Sequence, residues 1–171
     1  MIMKQVRTLI VFCIMMIAAS ATVHAQSKVA HIASQELIEA MPDYKTAMGE
    51  LEKLQKNYDT EIKNMVTELQ TTMKRYQDEA NAKTPEENAK RAQEVQTTER
   101  TIGEYRTKAL KDLQQKEVEL LKPVYEKART SVQKVARAKG YEYVLDSTTG
   151  TGVIMADGYN LMPDVKKDMG I

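Results

Sequence analysis

Three groups of residues have side chains that could do chemistry. His31, Asp146 and Ser147 are the components of a hydrolase triad, in which an acid orients an imidazole that takes the serine proton. Gly150-Thr151-Gly152 has the small residues of a phosphate-binding turn. Of seven Met outside the first 25 residues, Met41, Met48 and Met65 have the helical spacing of a core seam and Met73 lies just off it, and on a projecting helix Met73, Tyr76 and Tyr105 also suit varied apolar ligands. The first two readings are weak. Nothing near Ser147 supplies an oxyanion site, and a His at a strand edge beside turn residues needs no catalytic role. The glycine pair lacks the Lys and the following helix of a phosphate cradle. One His with scattered carboxylates is not a metal set. The expectation is a protein with no catalytic residue, no metal and no cofactor, acting through apolar surface.

The elements that carry this surface follow an export signal. Lys4 and Arg7 precede the apolar run Leu9 to Ala19, and Val23-His24-Ala25 suits a signal peptidase, so cleavage is expected after Ala25. The eleven-residue apolar core is shorter than the ~20 residues that span a bilayer. Cys13 lies inside that core without the small-residue context of a lipoprotein site. Removing 25 of the 171 residues leaves 146, with no Cys, Trp or Phe and one His, which excludes a disulfide framework. Lys+Arg falls from 25 to 23 against 24 Asp+Glu, a net charge of −1 that offers nucleic acid no basic footprint.

Lys28 to Ile32 reads as a strand, and Ser34 as the N-cap of a helix from Gln35. Leu37, Met41, Tyr44, Met48, Leu51, Tyr58, Ile62, Met65, Leu69 and Tyr76 then follow a 4-3 spacing broken at Gln55 and Thr72, which is a coiled-coil seam. Thr84-Pro85-Glu86-Glu87 begins a second helix, which ends near Lys139-Gly140. Ile102, Leu113, Val124 and Val135 recur every eleven residues, as do Leu110, Leu121 and Val132, which predicts a nearly straight helix. Residues 35–69 carry eight acids and four bases, and residues 100–134 nine bases and five acids. The resulting −4 and +4 favour antiparallel pairing by selecting register more than by adding stability.

Tyr141 to Asp146 and Val153 to Ala156 read as strands joined by a polar turn, and Pro163 opens a last short helix ending at Gly170. The fold expected is mainly α with a small β head. Residues 26–41 and 140–171 form the head, and 42–139 a long antiparallel coiled-coil hairpin inserted between its strands. A head of about forty residues needs association to fold, and Tyr141, Tyr143, Leu145, Val153 and Ile154 are the candidate oligomerisation residues. Met73, Tyr76, Tyr105, Leu110 and Leu121 are the candidates for contact with apolar clients. If the hairpin turns at Lys83-Thr84, paired positions sum to roughly 167, which puts Pro42 and Pro123 at one level as a candidate hinge, the alternative for Pro42 being that it opens the long helix at its first position.

Val29-Ala30-His31-Ile32-Ala33-Ser34-Gln35-Glu36-Leu37 through Met41-Pro42, Leu120 to Val124, Gly140 to Ser147 and Val153 to Asp157 together resemble the Skp/OmpH family of periplasmic outer-membrane-protein chaperones. The resemblance spans essentially all of the chain after the signal. It implies a jellyfish-like homotrimer whose heads form a body and whose helical tentacles enclose unfolded outer-membrane β-barrel proteins without ATP. Two departures stand out. The chain is near neutral where familiar members are strongly basic, which argues against lipopolysaccharide or anionic-membrane contact. Asn160-Leu161-Met162-Pro163 replaces the usual acidic, Thr-containing start of the last helix. The alternative reading is an exported coiled-coil scaffold that docks one folded envelope partner.

Overall fold

The computed structural model describes residues 28–171, and the export signal with its cleavage site lies outside the described residues. Strand β1 (Val29–Ile32) leads into α1 (Ser34–Ala40), α2 (Pro42–Glu79), a 3-10 turn (Ala80–Ala82) and α3 (Pro85–Ala138). Then come β2 (Tyr143–Asp146), β3 (Tyr159–Asn160) and α4 (Met162–Met169). The sheet order is β2-β1-β3, and both pairings are parallel. Parallel neighbours need a crossover connection. Between β1 and β2 that crossover is the whole helical hairpin, so the arm is built into the sheet's own topology.

Local chemistry sets the joints. Thr84 accepts the Glu87 amide while the Glu87 carboxylate accepts the Thr84 amide, a reciprocal capping box that starts α3. At the other end Gly140 takes φ 74°, and the Tyr141 amide returns to the Ala136 carbonyl at 2.9 Å. Pro163 lies in the first turn of α4, which closes on the left-handed Gly170.

The ascending arm is two helices rather than one. Met41 is extended (φ −71°, ψ 131°) because the residue before a proline is pushed out of helical conformation. Pro42 therefore opens α2, where its missing N–H has no cost. Nor is Ser34 a cap. The helix starts at Ser34 itself, whose hydroxyl donates to Asp146 instead.

The hairpin seam also differs in detail. Ala47 and Leu54 turn inward where Met48 and Gln55 were expected, and Met48 is 41% exposed. On α3 the covered positions 88, 91, 95, 98, 102, 105, 109, 112 and 116 keep heptad spacing, and 116, 120, 124 and 128 step by four. The eleven-residue period thus governs burial only near the head, where α3 meets α1 and α4 as well as α2. Leu110, placed on that period by sequence, is 64% exposed.

The core gathers Ala30 and Ile32 from β1, Leu37 and Ile38 from α1, Met41, and Val124, Ala128, Val135 and Ala136 from the base of α3. Leu161 and Val165 complete it, both with no exposed surface. Ion pairs tie α4 down, Lys134 to Asp168 at 2.5 Å and Lys139 to Asp164 at 3.0 Å. Val153 to Ala156 is not a strand. Only β2 and β3 pair with β1, the segment joins neither of their outer edges, and Ile154 projects fully into solvent.

Candidate functional site

Three surfaces follow from this architecture. The first is the pair of hairpin faces. Cross-hairpin bonds join Tyr58 to Asp112 at 3.1 Å, Tyr76 to Glu94 at 2.7 Å, Arg91 to Glu79 at 2.6 Å and Lys127 to Asp43 at 2.6 Å, and each pair sums to 170. Tyr105 donates to Glu61, and its ring meets Tyr58 edge to face at 6.0 Å. That hydrogen bond, with desolvation and the charge of Glu61, pushes the Tyr105 hydroxyl up to about 12. Tyrosines laid across the seam therefore hold the arm together by donating to acids on the opposite helix. Among the described residues only Lys127–Asp43 joins the two oppositely charged stretches as an ion pair, so their −4 and +4 act at longer range.

These contacts correct several placements. Tyr76 and Tyr105 are half-buried rungs with committed hydroxyls, and the Arg91 guanidinium lies 4.6 Å above the Tyr76 ring. Leu121, 6% exposed, belongs to the packed arm. Met73 at 44% and Leu110 at 64% are open. Val118 at 66% and Tyr125 at 46%, which lie eight and fifteen residues beyond Leu110 on α3 and were not singled out from sequence, are open as well. The signal was present in the spacing. Neither position belongs to the eleven-residue rows through Ile102 and Leu110. Pro42 and Pro123 are not level, since the observed register sets Pro123 opposite Ala47 and Pro42 opposite Ala128, an offset of five residues.

The second surface is the sheet face turned away from the core. Register puts Val29 beside Tyr143 and His31 beside Leu145. Val29, Tyr143 and Leu145 are 43%, 59% and 47% exposed, and among the described residues no helix covers them. Of the other oligomerisation candidates, Tyr141 stacks on Tyr159 at 5.4 Å, Val153 is half-buried and Ile154 is free.

The third is the His31 cluster. His31 Nδ1 lies 3.0 Å from Ser147 Oγ and Nε2 3.2 Å from the Gly158 carbonyl. Nε2 must carry a proton to donate to the carbonyl, and in the neutral ring Nδ1 then accepts from Ser147. The imidazole thereby staples both ends of the 147–158 connection that takes the chain from β2 to β3. Asp146 does not orient it. Its carboxylate accepts from Ser34 Oγ, the Ser34 amide at 3.1 Å, the Thr148 amide at 2.9 Å and Thr148 Oγ1 at 2.6 Å. Burial alone would raise this carboxyl, but the bonds from Ser34 and Thr148 outweigh it and hold it at about 2.

A depressed carboxyl stabilises the folded head at pH above its unfolded value near 4, and that contribution disappears as pH falls from about 4 to about 2. Asp146 is part-exposed, so screening leaves on the order of 1–2 kcal/mol. Asp146→Ala is expected to lower head stability at pH 7 by about 2 kcal/mol, because it also strands the Ser34 amide. It should also flatten the melting midpoint between pH 4 and pH 2. Circular dichroism melts of both proteins across that window provide the check, and an unchanged acid slope in the variant would remove Asp146 as its source.

Among the described residues there is no group of three or more metal-ligating side chains, and no helix is long and apolar enough to cross a membrane. A long helical hairpin mounted as the crossover of a small parallel sheet, with its apolar side chains on open faces, defines a protein of projecting arms. The chain belongs to the outer membrane protein (OmpH-like) family, whose model matches residues 28–169. A crystal structure of an OmpH-like protein from Caulobacter crescentus CB15 shares the fold with a TM-score of 0.74, at 17% identity over 85% of each chain. No curated protein matches the chain.

Proposed function

We propose that this protein is an ATP-independent periplasmic holding chaperone for unfolded outer-membrane β-barrel proteins. The family match over residues 28–169 carries the reading, and the Caulobacter protein of the same fold is itself named as a candidate outer membrane chaperone. The architecture supports it physically. At 1.5 Å per residue the 38 residues of α2 extend about 57 Å, so most of the arm lies outside any compact core. Barrel strands in transit expose alternating apolar side chains and unpaired backbone, and they aggregate unless held. An arm with scattered open Leu, Val, Met and Tyr side chains offers many weak contacts without a shaped pocket.

In this reading the export signal delivers the chain to the periplasm. The open sheet face of Val29, Tyr143 and Leu145 joins three copies, and the arms surround the client. Holding is passive, with no nucleotide. The test is dilution of a urea-unfolded β-barrel protein with and without the mature chain, followed by light scattering. Scattering should fall by more than half at a threefold molar excess of chains and be indifferent to added ATP. If barrels aggregate unhindered while the chain co-purifies with one folded envelope partner, it is a scaffold.

A further inference from the structure

The face of α3 turned away from α2 carries a second apolar row that the hairpin does not use. Gly103, Thr107, Leu110, Gln114, Val118 and Tyr125 follow one another by three, four or seven residues. At 100° per residue they share one stripe, about 140° around the helix from the seam residues Ile102, Ala109 and Lys116. All six are exposed, although three are large and apolar. The stripe runs from a shallow depression floored by Gly103 and Thr107 to a groove of about 580 Å³ between α1, α3 and β2, entered past Tyr125 and Val132. Gly103 has no packing reason within the chain. A Cβ there would meet nothing within 4 Å and its φ is not positive, yet glycine weakens a helix interior. An exposed helical glycine at the end of an apolar row leaves room for another backbone to approach.

One flank of the stripe is basic. Arg100, Lys111 and Lys122 recur every eleven residues beside it, and Arg129 continues the row. Arg100 faces Glu104 at 3.8 Å, whereas Lys111, Lys122 and Arg129 have no carboxylate within 4 Å among the described residues. A second helix would want an unbroken apolar seam, and this row has Gly, Thr and Gln between its apolar members. What an apolar row beside a basic row does match is an unfolded segment that carries both apolar side chains and carboxylates.

We propose that this α3 stripe is the client track, binding unfolded segments whose apolar side chains seat at Leu110, Val118 and Tyr125 while their carboxylates face Lys111, Lys122 and Arg129. The proposal deepens the chaperone reading by naming its contact surface and the charge of its preferred client. The probe is a labelled, unstructured twenty-residue peptide alternating Val or Tyr with Asp, read by fluorescence anisotropy on the full mature chain, with a second peptide carrying Lys in place of Asp. The acidic peptide should bind at least tenfold tighter, and raising salt to 0.5 M should erase most of the preference. The triple substitution Leu110→Ser, Val118→Ser, Tyr125→Ser should weaken binding at least tenfold without moving the helical melt, because all three side chains are exposed. Lys111→Glu with Lys122→Glu should remove the preference for the acidic peptide. Equal binding of both peptides, or an unaffected triple variant, overturns the track. So does a triple variant that sediments as a smaller species than wild type, which would make the stripe a contact between copies. The scattering assay on wild type keeps the two claims apart: a protein that holds barrels but binds both peptides alike is a chaperone with another contact surface.

Discussion

Leu161→Ala is expected to melt the head at least 10 °C earlier than wild type while leaving the arm helical. Leu161 has no exposed surface and sits where β3 turns into α4, against a core of only eleven buried residues. Truncating a fully buried leucine costs about 2–5 kcal/mol, through lost transfer energy and the cavity left behind. In a unit this small each kcal/mol moves the midpoint by about 4–8 °C. The two regions report separately. Stacked Tyr141 and Tyr159 add a head component to a near-ultraviolet signal shared with the arm tyrosines Tyr58, Tyr76 and Tyr105, so the head reads as the part of it lost first, and the 222 nm signal is dominated by α2 and α3. The seam from Leu51 to Leu69 shares no side chain with the core around Leu161, so the 222 nm transition should stay within a few degrees. The proposed assembly through Val29, Tyr143 and Leu145 requires an intact sheet, so the variant should also sediment as monomers. Coincident loss of both signals would show that head and arm unfold as one unit.

Pro123→Ala should stabilise the arm by up to about 3 kcal/mol, and Pro42→Ala by nothing measurable. Pro123 lies inside the 54-residue α3, where it removes a backbone hydrogen bond and its ring crowds the carbonyl four residues earlier. Pro42 occupies the first turn of α2, where proline is tolerated and φ is already suitable. The weak point is therefore asymmetric: an extended joint at Met41 on one side of the arm and an interior proline on the other, six residues apart in level. We propose that the arm pivots there. Thermal melts at 222 nm check the stability difference. Small-angle scattering on wild type and Pro123→Ala checks the motion, with a narrower spread of arm separations expected in the variant and identical spreads ending the hinge.

Residue types alone determined the helical hairpin, because its signals are local. The Thr84-Pro85-Glu87 start, the Gly140 stop and the 4-3 apolar spacing each act within a few residues. They also determined the likeness to the OmpH family through the blocks that flank the arm. The inward turn of Ala47 and Leu54 in place of Met48 and Gln55 was settled between the helices, since either phase satisfies a heptad and only packing against α3 selects one. The tyrosines could not be placed from sequence. A ring with a hydroxyl suits an open client surface and a hydrogen-bonded rung alike, and the positions of Glu61, Glu94 and Asp112 across the hairpin made Tyr105, Tyr76 and Tyr58 rungs. Val153 to Ala156 has strand composition, but a strand exists only when it pairs with another, and this segment docks on neither outer edge of the β2-β1-β3 sheet. The same long-range pairing took Asp146 to Ser34 and Thr148 and turned His31 into a staple, separating residues whose types suggested a triad. What is local along the chain was legible in it; what depends on which distant backbone lies alongside was decided by the tertiary structure.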